Sequence, residues 1–281
     1  MGLVLSDIKN FLTVCETRNM TRASEIIGLS QPALSYAIKR LESALGGELF
    51  IRLKNGIELT KLGEQFKQRA RRLLYEWEQV SNLAQPGTDF VQGCYVFAIH
   101  PSVALSTLEF FFPALQRTFP QLDFNLIHGI SREMTEKVIS WEADFGIVVN
   151  PIRHPDLVIH RLYKDEVAIF HTPSAEDKLI YDSQLAQSQH ILHKLQKKNR
   201  VAGKITSANL EVVAKLTAMG LGYGILPARV ASQYPQLKRL ADSPVFSDDI
   251  CLVYRAEKHN NAVSKEIIRR IEGIKSQLTS C

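Results

Sequence analysis

Hydrophobic positions change their period three times along the chain. Near the N-terminus they recur at helical spacing. Ile8, Phe11, Leu12 and Cys15 fall at i, i+3, i+4 and i+7 and predict a helix with Ser6 as its N-cap. Ala23, Ile26 and Ile27 predict a second helix, capped by Thr21 and ended by Gly28-Leu29-Ser30. Leu34, Ile38, Leu41 and Leu45 predict a third, opened by Ser30 as cap, with Pro32 tolerated in its first turn. Three short helices with a glycine-containing turn before the last have the spacing of a helix-turn-helix. Leu49 to Arg52 and Ile57 to Thr60 then read as two strands around an Asn55-Gly56 turn. From the Thr60 cap, Leu62, Phe66, Ala70, Leu73, Trp77, Val80 and Ala84 step by three and four, predicting one long helix that ends at Gln85-Pro86-Gly87. That spacing suits a dimer seam and a helix packed on its own chain equally well.

From Val91 the texture changes. Apolar runs predict strands at 95–99, 122–127, 145–149, 158–162, 166–170, 223–226 and 250–254. Helical patterns lie at 105–119, 132–141, 210–219 and 263–278, the last with Ile267, Ile268, Ile271 and Ile274 on one face. This alternation predicts a parallel sheet with helices on its faces, in two α/β lobes.

The 281 residues suit about two domains. Net charge is +5, and Lys39 to Arg72 alone hold nine basic residues against four acidic ones, the same net +5. An anionic partner would therefore meet this end of the chain. On the third helix, Pro32, Ser35, Tyr36 and Lys39 lie opposite the leucines, with Gln31 at the N-terminal edge. Hydroxyl, phenol, amide and ammonium groups suit the base edges and phosphates of a major groove. Taken alone, such a face is more often simply solvated. The hairpin changes that balance, because a wing here sets Arg52 and Lys54 against a phosphate backbone.

Other chemistry is sparse. No apolar run approaches the roughly 18 residues of a membrane span, and Met1 to Leu5 is too short an apolar stretch for a secretory signal. Cys15, Cys94, Cys251 and Cys281 show no paired spacing, which fits a reducing cytosol. Cys94 and Cys251 sit in apolar, strand-like runs and are expected to be buried. His190 and His193 share a helical face, but two ligands do not close a zinc site. Gly220, Gly222 and Gly224 precede a strand instead of following one, against a phosphate loop. No Gly-x-Ser-x-Gly elbow occurs, and Asp248-Asp249 reads as a solvated turn. The expectation is a chain that is not an enzyme and carries no metal or cofactor.

The stretch Phe11 to Phe66, including ASEIIGLSQPALSYAIKRLESALGGELFIRLKNGIELTKLGEQF, resembles the N-terminal domain of LysR-type transcriptional regulators. The matching positions are Ala23, Leu29, Ser30-Gln31-Pro32-Ala33, Ser35, Ile38, Leu41-Glu42, Leu45-Gly46, Leu49-Phe50, Arg52, Leu59-Thr60 and Gly63. Asn19-Met20 and Ala23-Ser24 depart from the usual pattern. Further on, LEFFFPALQRTFPQL, EADFGIVVN and AMGLGYGILP are similar to the family's effector domain.

The resemblance implies an α/β fold class with an N-terminal all-α winged helix-turn-helix at 1–60 and a linker and dimerisation helix at 61–88. A two-lobed, periplasmic-binding-protein-like effector domain would occupy 89–281, with lobe I at 89–162 and 259–281, lobe II at 163–258, and crossings near Leu162 and Lys258. It implies DNA contacts from Thr21, Ser30, Gln31, Pro32, Ala33, Ser35, Tyr36, Lys39, Arg40, Arg52 and Lys54. Dimer contacts would come from Leu62, Phe66, Leu73, Trp77 and Val80. His100, Ser102 and Ser131 would bind a small-molecule effector, the serines offering hydroxyls beside helix N-termini that suit an anion. Both serines read equally as plain N-caps. The implied partners are double-stranded DNA, a second copy of the chain in a homodimer or tetramer, and RNA polymerase, with no membrane, in the cytoplasm. Between His190 and Ile205, the segment HILHKLQKKNRVAGKI lacks a strand, a helix and part of the cleft wall that the family has. That keeps open a regulator that no longer senses ligand. A two-lobed solute-binding protein is the other alternative; it explains the C-terminal part but leaves residues 1–88 without a role.

Overall fold

The apolar steps of three and four residues wind three helices, α1 (Leu5–Thr17), α2 (Met20–Ile27) and α3 (Gln31–Leu45). Their inward faces share one core, in which Ile8, Phe11, Val14, Ala23, Leu34, Ile38 and Leu41 are buried. The computed structural model describes residues 3–53, 56–83, 93–195 and 203–275. Contacts divide the chain at Asp89/Phe90 into two units, with the short segment Ser140–Glu142 grouped with the first.

Two caps differ from expectation. Val4 precedes α1 with no side-chain cap, so Ser6 lies inside the helix. Asn19, not Thr21, caps α2: its extended backbone lets Oδ1 accept the Arg22 N–H at 3.0 Å, and Thr21 sits exposed in the first turn. Ser30 caps α3 as expected, accepting from Ala33 N–H at 3.3 Å. Gly28 ends α2 at φ +75°, a left-handed turn that glycine adopts without strain and that redirects the chain into α3. The wing is β1 (Phe50–Leu53) paired antiparallel with β2 (Gly56–Leu59). Lys54 and Asn55 lie outside the described residues. The long helix α4 (Lys61–Leu83) starts where Thr60 Oγ1 accepts the Gly63 N–H at 2.9 Å. A Cβ on Gly63 would stand 2.1 Å from the carbonyl oxygen of Leu49, so only glycine lets α4 pass the backbone that leads into the wing. The breaker Gln85-Pro86-Gly87 lies outside the described residues.

The second unit begins with β3 (Gly93–Ile99), α5 (Pro101–Thr118), β4 (Leu122–His128), α6 (Ser131–Ile139) and β5 (Phe145–Val149). It continues with β6 (Leu157–His171), β7 (Lys178–Tyr181), α7 (Ala186–Leu195), β8 (Gly203–Thr206), α8 (Leu210–Ala218) and β9 (Tyr223–Pro227). Last come α9 (Ala228–Ala231), β10 (Lys238–Arg239), β11 (Phe246–Arg255) and α10 (Ala262–Glu272). Helix α5 starts four residues earlier than the sequence suggests, because Pro101 is preorganised for a first helical turn. The end of the expected last helix, including Leu278, lies outside the described residues.

All strands from β3 onward join one nine-stranded sheet, ordered β4-β3-β5-β11-β6-β9-β7-β8, with β10 on β6. The sheet is mixed, not parallel as the alternation suggested. β3, β4 and β5 run parallel, as do β7, β8 and β9, but β6 and β11 are antiparallel to their neighbours. The chain runs from one half of the sheet to the other along β6 and returns along β11, so these two long strands oppose each other. The expected strands 158–162 and 166–170 are one, because Tyr163, Lys164 and Asp165 continue the ladder opposite Ile250, Asp249 and Asp248. Both faces are covered, which is why the strands read as unbroken apolar runs. Phe97, Phe145, Leu252 and Tyr254 bury on one side, and Ala98, Val148, Cys251 and Val253 on the other. In the far half, Ala168, Phe170 and Leu226 face one core and Val167, Ile169 and Ile225 a second. Cys251 is buried as expected, but Cys94 is exposed, because β3 enters its apolar layers only further along. Among the described residues, no helix is long and apolar enough to cross a membrane.

Candidate nucleic-acid interface and ligand cavity

The leucine side of α3 is sealed, with Leu34 and Leu41 at most 1% exposed, while Tyr36 on the opposite side is 62% exposed. Gln31, Pro32, Ala33 and Lys39 are exposed beside it, and Ser35 is half-buried. Arg52 of the wing reaches across to α3, its Nη2 donating to Ser35 Oγ at 3.4 Å. Hydroxyl, amide, phenol, ammonium and guanidinium thus share one open surface. Ser30 Oγ accepts as the cap and keeps its proton to donate. One of the expected DNA contacts is committed elsewhere. Arg40 donates through Nε and Nη2 to both oxygens of Asp7, at 2.7 and 2.6 Å, and Asp7 is 2% exposed in α1. This bidentate pair ties α3 to α1, and the guanidinium stands 5.8 Å from the Tyr36 ring centroid. Arg40 is therefore a strut beneath Tyr36 and not a free phosphate ligand. Lys54 lies outside the described residues.

The expected dimer stripe divides. Leu62 and Phe66 pack into the domain's own core, with the Phe66 ring 5.1 Å from Phe11. Both are only partly buried, so that core takes up part of each side chain. Leu73, Trp77 and Val80, further along α4, are 44%, 52% and 57% exposed.

In the second unit, a cavity of about 270 Å³ opens against both long strands. His100 precedes α5, Ser131 opens α6, and Gln187 and Ser188 lie in the first turn of α7. Asn150 follows β5, Arg229 lies in α9 and Asp248 in β11. The first turn of α7, which forms part of the wall, lies ahead of the segment expected to be shortened; that segment supplies only the second half of α7, and residues 196–202 lie outside the described ones.

The polar groups form a chain. Asp165 in β6 pairs with Arg229, both side chains only 6% exposed. Arg229 Nη2 donates to Ser102 Oγ at 2.9 Å, and Ser102 Oγ lies 2.9 Å from His100 Nδ1. A guanidinium only donates, so the serine oxygen accepts from it. Burial, then the charges of Arg229 and His128, hold His100 down at about 4, so the ring is neutral near pH 7. Ser102, expected at the ligand, is 1% exposed and stands behind the wall, where it orients His100 and Arg229. Ser131 does line the cavity; its Oγ accepts the Val149 N–H at 3.0 Å, which leaves its proton to donate.

Asp248 is 1% exposed, not the solvated turn residue expected, because it belongs to the β11 ladder. It accepts from Asn150 Nδ2 at 2.7 Å and from Gln187 Nε2 at 3.0 Å. Burial raises its pKa, and these two amides and Arg229 pull it back. Sequence reasoning missed Arg229, Asp248 and Gln187. Only the Asp-Asp pair carried a signal, and its strand context was hidden by the polar residues 247–249.

Comparison with known proteins covers both units. Residues 5–64 match the bacterial regulatory helix-turn-helix protein, lysR family, and residues 91–273 match the LysR substrate binding domain. The HTH-type transcriptional regulator BbuR of Bordetella bronchiseptica is 26% identical over 172 residues, 61% of this chain and 53% of that protein. The chain thus spans about half the length of the first curated relatives it matches. A full-length OxyR variant from Pseudomonas aeruginosa shares the fold at a TM-score of 0.71 and 18% identity, over 98% of this chain and 95% of that one. Full-length CbnR in complex with its target DNA does so at 0.59 and 21%, over 96% of this chain and 100% of that one.

Proposed function

The chain belongs to the LysR family of bacterial helix-turn-helix proteins, and from that premise we propose that it is a sequence-specific DNA-binding transcriptional regulator whose C-terminal domain answers to a small molecule. One observation carries the reading: α3 buries its leucines and leaves Gln31, Tyr36 and Lys39 open on the side where Arg52 of the wing also stands. Residues 1–60 read the DNA, with Tyr36, Gln31 and Lys39 toward base edges and Arg52 and Lys54 toward phosphates. Residues 61–88 join two copies through the exposed Leu73, Trp77 and Val80, and a two-fold dimer reads a two-fold symmetric site. Residues 89–281 bind the effector, which shifts the regulator only by its differential affinity for two states of the protein. RNA polymerase is the partner through which such a protein acts in the cytoplasm. Ser131, Arg229 and Asp248 around one cavity favour a ligand-sensing protein over one whose shortened segment has lost that response.

Selection of bound duplexes from random-sequence DNA tests this reading. The expected product is a pseudo-palindromic site bound with an affinity that falls steeply with salt. Recovery of no consensus, or an affinity indifferent to salt, would overturn it.

A further inference from the structure

We infer that the cavity takes a zwitterion: a small molecule carrying both an anionic group and an ammonium, in the manner of an α-amino acid with an apolar side chain. The inference rests on reading this cavity as the effector site.

The wall has a donor end and an acceptor end. A donor comes from the Ser131 hydroxyl, whose oxygen is already committed to Val149 N–H. Arg229 adds a guanidinium that is 6% exposed and whose Nε is buried with no hydrogen-bond partner. A donor buried without an acceptor is costly, and a carboxylate brought against this guanidinium offsets part of that cost through charge-assisted hydrogen bonding. The acceptor end is Asp248. Its hydrogen bonds come from two neutral amides, Asn150 and Gln187, while the nearby cation, Arg229, is already neutralised by Asp165. Asp248 is thus a buried carboxylate without a cation of its own.

A simple anion would satisfy Arg229 but would bring like charge toward Asp248. A simple amine would satisfy Asp248 and leave the donors unfilled. Only a ligand with both groups answers both ends. The remaining wall is apolar, with Val149, Val167, Ile225 and Pro227. About 270 Å³ lies just below the usual range of about 300–1,000 Å³ for ligand sites, which suits a compact metabolite.

The test is calorimetric titration of the full chain, with operator footprinting in parallel. The probes are L-valine, L-leucine and L-methionine, each beside the carboxylic acid that lacks its amino group and the amine that lacks its carboxylate. At least one amino acid is expected to bind, and removing either charged group should weaken it by at least about tenfold. Asp248→Asn should abolish most of the preference for the amino acid over its deaminated acid. Comparable binding of the deaminated acids to the unmodified protein, or no binding of any amino acid at millimolar concentration, would overturn the inference; neither result depends on the variant folding. The footprint separates the two readings. A deaminated acid that binds as well as its amino acid and alters DNA protection sinks the zwitterion but keeps the effector site. An amino acid that binds with both preferences and leaves DNA protection unchanged does the reverse.

Discussion

Arg40 lies in the basic window and near the open face of α3, yet its guanidinium is held by buried Asp7. Arg40→Met should therefore lower the denaturant midpoint of the DNA-binding unit, because it leaves the Asp7 carboxylate buried without its cation. Denaturant unfolding measures this, and the salt dependence of DNA binding should keep its slope. A lower slope with unchanged stability would make Arg40 a phosphate ligand instead. His100 gives a pH prediction. Its folded-state value of about 4 lies below the ordinary 6.5, so the stability it contributes is present above 6.5 and is lost as pH falls toward 4. The loss amounts to about 3 kcal/mol at most. The unmodified protein should lose more stability than His100→Gln over that interval; parallel curves would contradict a buried neutral ring. Neither assignment was legible in the sequence, because Asp7 and Arg40, like His100 and Arg229, meet only in the fold.

Elements were far more legible. Periods of 3.6 and 2 gave α1, α2, α3, the wing and α4, and buried apolar runs gave most of the large sheet. Failures occurred where polar residues interrupt a buried element, as at Lys164-Asp165 in β6, or where an element is short, as in β7, β8 and β10. The α4 stripe shows a subtler limit: one continuous heptad-like pattern serves two purposes, since Phe66 faces its own core and Trp77 does not. Trp77→Arg should consequently shift the protein toward monomer in sedimentation experiments while leaving the fold intact; Phe66→Ala should act first on stability, by less than the roughly 3–5 kcal/mol of a fully buried phenylalanine, because Phe66 is only partly buried. An unchanged dimer in Trp77→Arg would remove α4 from the interface.

For the molecule as a whole, one chain carries both the helix proposed to read DNA and the sheet proposed to bind a ligand. The cavity was the least legible part. His100, Ser131, Arg229 and Asp248 are scattered over the second unit, and strand crossing brings them together. The central claim nevertheless concerns α3, whose polar side should face a duplex groove. Footprinting on the selected operator, with unmodified protein, Tyr36→Ala and Lys39→Ala, addresses it most directly. Both variants are expected to remain folded dimers, to lose at least about tenfold in affinity and to relax the preference for the selected sequence. Protection by both variants at the unmodified concentration would contradict the account.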